Sequence, residues 1–301
     1  HEPVPGREHL LIAILHLGCG DFAAYLVEQL LEAPDEQLFP AHLPALEHLP
    51  VALVYDAVAP QQLLRRLYSV FPEIERVWLI ARRMDRLQEL AEQLEEKGIS
   101  TLTLPLDLCD TMSFTAYQEH LVEEQPEIAL LVNNAGLAAG LEHIDRGDTR
   151  DWDAMIDTNV KGLLYVTRVI APKMVAAGGG HIFNIGSIAG TEPYENGAVY
   201  CASKHAVHAI SQSMRADLLS AGIKVTEIRP GMVETEFSLV RFHGDREAAD
   251  RVYDGVEPLT GDDIAEAIAW AAQLPAHMNV NDMVLMPTQQ AGAYYTYRKN
   301  R

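Results

Sequence analysis

From residue 51 onward, short apolar runs alternate with longer amphipathic stretches, and this alternation constrains the fold more than any other feature of the chain. The runs are Val51–Val54, Val77–Ile80, Thr101–Leu104, Ile128–Val132, His181–Ile185, Ile223–Ile228 and Asp282–Met286. They are short and apolar on both faces, as strands of a parallel sheet covered on both sides must be. Between them, Met84–Lys97 keeps leucine at helical spacing and stops at Gly98, a glycine suited to a helix C-cap. Asp151–Ala176, Tyr200–Ser220 and Asp262–Gln273 are further helical stretches, the last opened by Thr260-Gly261-Asp262-Asp263. Strand–helix alternation of this kind predicts an α/β fold, a doubly wound parallel sheet of about seven strands with right-handed crossovers. No low-complexity linker divides residues 51–301, which therefore read as one domain. Residues 1–50 read as an extra N-terminal segment with an apolar run, a helical pattern at Ala23–Leu31 and a loop punctuated by Pro34, Pro40, Pro44 and Pro50.

Composition narrows the partners. Lys and Arg total 23 against 43 Asp and Glu, a net charge of −20, so nucleic acid and anionic membrane surfaces are poor partners for the molecule as a whole. The longest apolar run, Leu10–Leu15, is too short to span a bilayer. Cys19, Cys109 and Cys201 are far apart and form no CxxC pair, which points to reduced thiols in the cytoplasm rather than a disulfide framework, and to no metal site.

Three motifs carry chemistry, and they occur in order. Asn133-Asn134-Ala135-Gly136 directly follows the fourth strand, Ser187 lies just beyond the fifth, and Tyr200-Cys201-Ala202-Ser203-Lys204 opens a helix thirteen residues later. Tyr200 and Lys204 are one helical turn apart and share a face. A free phenol, with a pKa of about 10, is a poor base at neutral pH. A neighbouring ammonium favours the phenolate, so Tyr200 could exchange a proton with a substrate oxygen that Ser187 holds in place.

With these motifs the chain, from Val51 to its end, resembles the short-chain dehydrogenase/reductase family. The resemblance implies a Rossmann-like fold, hydride transfer with a nicotinamide cofactor, and Asn159, Ser187, Tyr200 and Lys204 as the catalytic set, Asn159 supporting a water linked to the lysine. It implies cofactor contacts from Asn133, Ala135, Gly136, Tyr200 and Lys204, from Asp107 and Leu108 beside the adenine, and from Pro230, Gly231 and Thr235 over the nicotinamide. Arg82 and Arg83 follow the second strand of the unit, where an acid would suit NAD and an arginine suits the 2′-phosphate of NADP; NADP is favoured and NAD less so. Family members are commonly dimers or tetramers, so self-association is expected.

The glycine-rich turn of the family has no counterpart after Val51–Val54, where Tyr55 to Gln62 hold no glycine and Asp56 adds a negative charge. Gly18-Cys19-Gly20-Asp21-Phe22-Ala23 offers a GxGxxA pattern upstream, after the strand-like Leu10–Leu17. Either stretch remains open as the phosphate loop. The most similar subfamily is that of the 3-hydroxy acid dehydrogenases of the serine and allo-threonine type, on the stretches Trp152–Asn159, Glu236–Phe242 and Leu274–His277. A small carboxylate substrate needs a cation in so acidic a protein, and Arg241, in a loop with His243 and Arg246, is the candidate. The expected function is oxidoreduction of a small hydroxy acid or alcohol/carbonyl with NADP(H); the alternative is a cofactor-impaired relative acting as a binding or scaffolding protein.

Overall fold

A computed structural model describes residues 9–15, 51–55, 66–67, 69, 71, 74, 76–107 and 127–299. Parallel strands β1 (His9–Leu15), β2 (Val51–Tyr55), β3 (Arg76–Ala81), β4 (Ser100–Pro105), β5 (Glu127–Ile128), β6 (Leu130–Asn134), β7 (Gly180–Ile185), β8 (Ile223–Pro230) and β9 (Asp282–Leu285) form one sheet. Its order is β4-β3-β1-β2-β6-β7-β8-β9, with β5 paired to β1. The doubly wound parallel sheet is as expected, but nine strands stand among the described residues where about seven were read. One addition is β1, from the stretch read as an extension, which lies between β3 and β2. The other arises because the fourth run is divided at Ala129, whose carbonyl accepts from His181 N at 2.8 Å.

The α-helices among the described residues are α1 (Met84–Glu95), α2 (Thr149–Ile156), α3 (Leu163–Ala177), α4 (Ala198–Asp217), α5 (Phe237–Arg241), α6 (Arg246–Arg251) and α7 (Gly261–Ala272). Strand periodicity divides the apolar side chains between two layers. Val77, Leu79 and Ala81 of β3 face one side, where Leu87, Leu90 and Leu94 of α1 and Ile264 and Ile268 of α7 close over them. Trp78 and Ile80 face the other, against Val166 and Ile170 of α3 and Val207 of α4. Each such large side chain stabilises the fold by about 1.5–3 kcal/mol through burial. α1 ends at Glu95, two residues short of the expected Lys97, and Gly98 takes the left-handed φ of +81° that side chains avoid. α7 begins with a reciprocal capping box between Thr260 and Asp263.

The chain winds outward to edge strand β4 and returns at β6, beside β2, so the winding direction reverses between β2 and β6. In open α/β sheets the ligand crevice opens outside the carboxyl ends of the strands at such a point. A third apolar cluster, with Leu137, Ala138, Met155, Ala189 and Tyr200, lies where the loops after β6 and β7 meet the start of α4.

Candidate active site

The loops after β6 and β7 and the first turns of α4 bring the predicted residues together. Ser187 takes an extended conformation at the head of a 3-10 turn, Ile188–Gly190, and its Oγ accepts from Ala189 N at 3.1 Å. Its hydroxyl remains able to donate, and it stands close enough to the Tyr200 phenol to favour the ionised form. Gly190 ends the turn against α4; a Cβ there would lie 2.7 Å from the carbonyl oxygen of Lys204. Lys204 is buried, and its Nζ donates to Ile185 O at 2.9 Å and lies 6.0 Å from the centre of the Tyr200 ring.

Asn159 sits in a π-helical turn, Asp157–Gly162, between α2 and α3. Its amide is locked both ways to Leu137, accepting from N at 2.8 Å and donating to O at 2.9 Å. Nδ2 also donates to Ser203 Oγ at 2.9 Å, and that hydroxyl donates to Tyr200 O at 2.7 Å. Gly136 is held between these groups: its Cβ would lie 3.2 Å from Lys204 Nζ and 3.3 Å from Asn159 Oδ1.

The electrostatics differ from the sequence expectation in one respect. Burial pushes the Tyr200 phenol up from its ordinary value, the nearby Tyr194 adds to this, and Ser187 and Arg241 oppose it. Burial also draws the Lys204 amine down to about 8, with Glu227 opposing. Spacing on a helix reveals the neighbouring charge, whereas desolvation of both groups depends on the tertiary fold.

Arg241, at the end of α5, stacks over the site. Its Nη2 donates to Tyr194 Oη at 2.6 Å, and its guanidinium carbon lies 5.1 Å from the Tyr200 ring centre and 5.5 Å from that of Phe237. Nε is buried and makes no hydrogen bond among the described residues. A pocket beside Tyr200 is walled mainly by Ala139, Gly140, Trp152, Met155 and Val199, with Glu142 and Asn196 at its polar side.

The remaining predicted residues line the carboxyl edge of the sheet. Arg82 is exposed after β3, and Arg83 faces Glu236 at 3.8 Å. Asp107 follows β4, while Leu108 and both candidate phosphate loops, 18–23 and 55–62 apart from the backbone of Tyr55, lie outside the described residues. Asn133 donates to Thr167 Oγ1 at 3.1 Å and Asn184 Oδ1 at 2.9 Å, and its own Oδ1 is buried without a hydrogen bond among the described residues. Ala135 and Gly136 are also buried or enclosed at the end of β6. Pro230 ends β8; Gly231 N donates to Leu285 O at 2.8 Å, and Thr235 Oγ1 accepts from Phe237 N at 3.2 Å. A dinucleotide fits this described edge: arginines stand at the end of β3, and Asn133 offers a buried acceptor without a hydrogen bond among the described residues.

Sequence reasoning missed Tyr194, Phe237, Ser203 and Glu227. Glu227 alone had a visible signal, as an acid within a run read as buried on both faces.

A strand-end crevice at a reversal of winding, with Ser, Tyr and Lys converging on it, defines a nucleotide-dependent oxidoreductase site. The profile of the short chain dehydrogenases matches residues 72–244, and the chain belongs to that family. It is 46% identical over 213 residues to the NADP-dependent 3-hydroxy acid dehydrogenase YdfG of Salmonella typhi, covering 70% of this chain and 85% of that protein. It is 42% identical over 222 residues to the NADP-dependent 3-hydroxy acid dehydrogenase of Schizosaccharomyces pombe, covering 73% and 86%. Among solved structures, the closed form of a serine dehydrogenase complexed with NADP+ superposes with a TM-score of 0.71 at 40% identity, covering 81% of this chain and 96% of that one. Among the described residues no helix is long and apolar enough to cross a membrane.

Proposed function

We propose that this chain transfers hydride between NADP(H) and a small 3-hydroxy acid or its carbonyl counterpart, as a cytoplasmic homo-oligomer. The observation that carries the reading is the convergence of Ser187 and Lys204 on Tyr200 beneath the Arg241 guanidinium. The relatives named above support NADP and the hydroxy-acid class.

When bound, NADP(H) would supply or accept the hydride through its nicotinamide. Arg82 and Arg83 are assigned to the 2′-phosphate, and Asp107 and Leu108 to the adenine. Asn133, Ala135, Gly136, Tyr200 and Lys204 would hold the rest of the cofactor, and Pro230, Gly231 and Thr235 its nicotinamide end. Ser187 holds the substrate oxygen by a hydrogen bond. In carbonyl reduction the buried Tyr200 hydroxyl gives its proton to that oxygen; in alcohol oxidation the phenolate takes one back. A phenol raised by burial stays protonated at neutral pH, which suits the acid role. The Ser187 hydroxyl and the Lys204 ammonium stabilise the negative charge that develops on it. Asn159 fixes Leu137 and the Ser203–Tyr200 backbone contact, and so the position of the phenol. Arg241 receives the substrate carboxylate: Nε is unengaged among the described residues and Nη2 can leave Tyr194, a fork suited to two carboxylate oxygens. The small apolar walls of the pocket suit a short carbon chain. The scaffolding alternative draws no support from the relatives.

The test is NADPH consumption with malonic semialdehyde and NADP+ reduction with serine or 3-hydroxypropionate, alongside Tyr200→Phe. The variant is expected to bind NADPH, followed by its fluorescence, and to lose turnover about 100-fold or more. Unchanged turnover in the variant refutes the assignment.

A further inference from the structure

One carboxylate near the site has no part in the chemistry above. Glu227 lies in β8 with its side chain fully buried. A charge in such a place needs a partner. Its Oε2 pairs with His208 Nδ1 at 2.6 Å. His208 follows Lys204 by one turn of α4, as Lys204 follows Tyr200, so one helix face carries a phenol, an ammonium and an imidazole on successive turns.

The second oxygen, Oε1, makes no hydrogen bond among the described residues and points at Gly186, where a Cβ would collide with it. The preceding residue, Ile185, accepts from Lys204 Nζ. The ammonium and the unbonded carboxylate oxygen thus flank the same two residues of backbone, those that lead directly into Ser187.

The other charges around Glu227 are accounted for. Asp282 of β9, its partner in register, faces Arg215 of α4 at 3.3 Å, His208 at 3.6 Å and Arg229 of β8 at 4.0 Å. Two guanidiniums and the His208 imidazole share Asp282, which argues against a bound metal ion among His208, Glu227 and Asp282. Around Lys204, the described groups are the Tyr200 ring, the Asn159 amide beyond Gly136, and Glu227.

We infer that Glu227 is a positioning residue of this site, whose carboxylate, anchored by His208, supplies the counter-charge to the buried Lys204 ammonium and imposes glycine at the position before Ser187. The inference rests on reading Lys204 as the amine partner of Tyr200. Burial pulls Lys204 and Glu227 toward their neutral forms; Glu227 opposes this at Lys204, and His208 opposes it at Glu227. Exchanging one charge therefore reaches the other without disturbing the substrate pocket.

The test reads Lys204 directly. The chain has six lysines, so the full-length protein labelled with 13C-lysine gives few signals, and Lys204→Arg identifies the one of interest. Its titration midpoint is expected to fall by about one pH unit in Glu227→Gln, which keeps shape and removes charge. In Glu227→Asp, with the charge kept but drawn back by a methylene, it is expected to fall by less. Should the neutral variant not fold, Glu227→Asp carries the test alone. A purely structural role would lower Tm and leave the midpoint unmoved, and that result overturns the inference. The readout needs no substrate, so a wild-type protein without turnover would refute the proposed function and leave this experiment decisive for Glu227.

Discussion

Gly190→Ala should damage turnover out of proportion to its size. The 3-10 turn that begins at Ser187 ends at Gly190, where the backbone passes close to α4. A Cβ at that position would lie 2.7 Å from the carbonyl oxygen and 3.2 Å from the carbonyl carbon of Lys204, whereas ordinary contact begins near 3.4 Å, so about 0.7 Å must be found. The obstructing atoms are helix backbone and cannot rotate away. The turn is stiff as well, with Gly190 N donating to Ser187 O at 2.9 Å and Thr191 N to Ile188 O at 3.0 Å. The displacement therefore appears as a separation of Ser187 from Tyr200 and Lys204. Overpacking of this kind costs about 1–3 kcal/mol, several degrees of Tm. A misplacement approaching 1 Å costs about tenfold to a hundredfold in turnover. Steady-state kinetics and thermal melts would be compared with Gly179→Ala, where a Cβ meets nothing within 4 Å. If Gly190→Ala matches that control in both kcat/KM and Tm, the close approach does not set the catalytic geometry.

Other consequences are equally open to measurement. The Lys204 amine lies at about 8 in the fold against an ordinary 10.5, so the unfolded chain binds more protons between those values. This group's contribution to stability is therefore least favourable below about pH 8 and improves as pH rises through that window. Carbonyl reduction runs the opposite way, falling as the ammonium is lost above about pH 8; parallel melts and kcat/KM profiles from neutral to alkaline pH check both signs. Arg241→Ala should raise KM for an acid substrate by about tenfold to a hundredfold and leave a neutral ketone far less affected; equal effects would remove the carboxylate role. Thr260→Ala breaks the capping box of α7 and should cost about 1 kcal/mol by denaturant titration without changing kcat.

What the sequence made legible was local or periodic. The central strands β3, β6, β7 and β8 could be read because both their faces are covered, and Tyr200 with Lys204 because i and i+4 on a helix share a face. The first turn of α7 matched its cap because Thr260 and Asp263 are three residues apart. Relations between distant segments stayed hidden. Arg241 and Tyr194 are 47 residues apart and meet only through the loops around the pocket. β1 entered the sheet between β3 and β2, a placement that its own run of residues does not announce. The direction of the Tyr200 shift was hidden too, since burial of its ring depends on Phe237 and the loop at Leu137.

The wide turn at Asp157–Gly162 joins two helical halves that serve different surfaces. Trp152 and Met155 of α2 look into the pocket, while Val166, Ile170 and Met174 of α3 look onto the sheet. An added residue in a helical turn advances the phase of everything beyond it by about 100°. The number of residues in this segment is thus itself under constraint. Shortening it by one would swing Asn159 or the whole rear half out of alignment, a fragility that scanning by substitution alone would never expose.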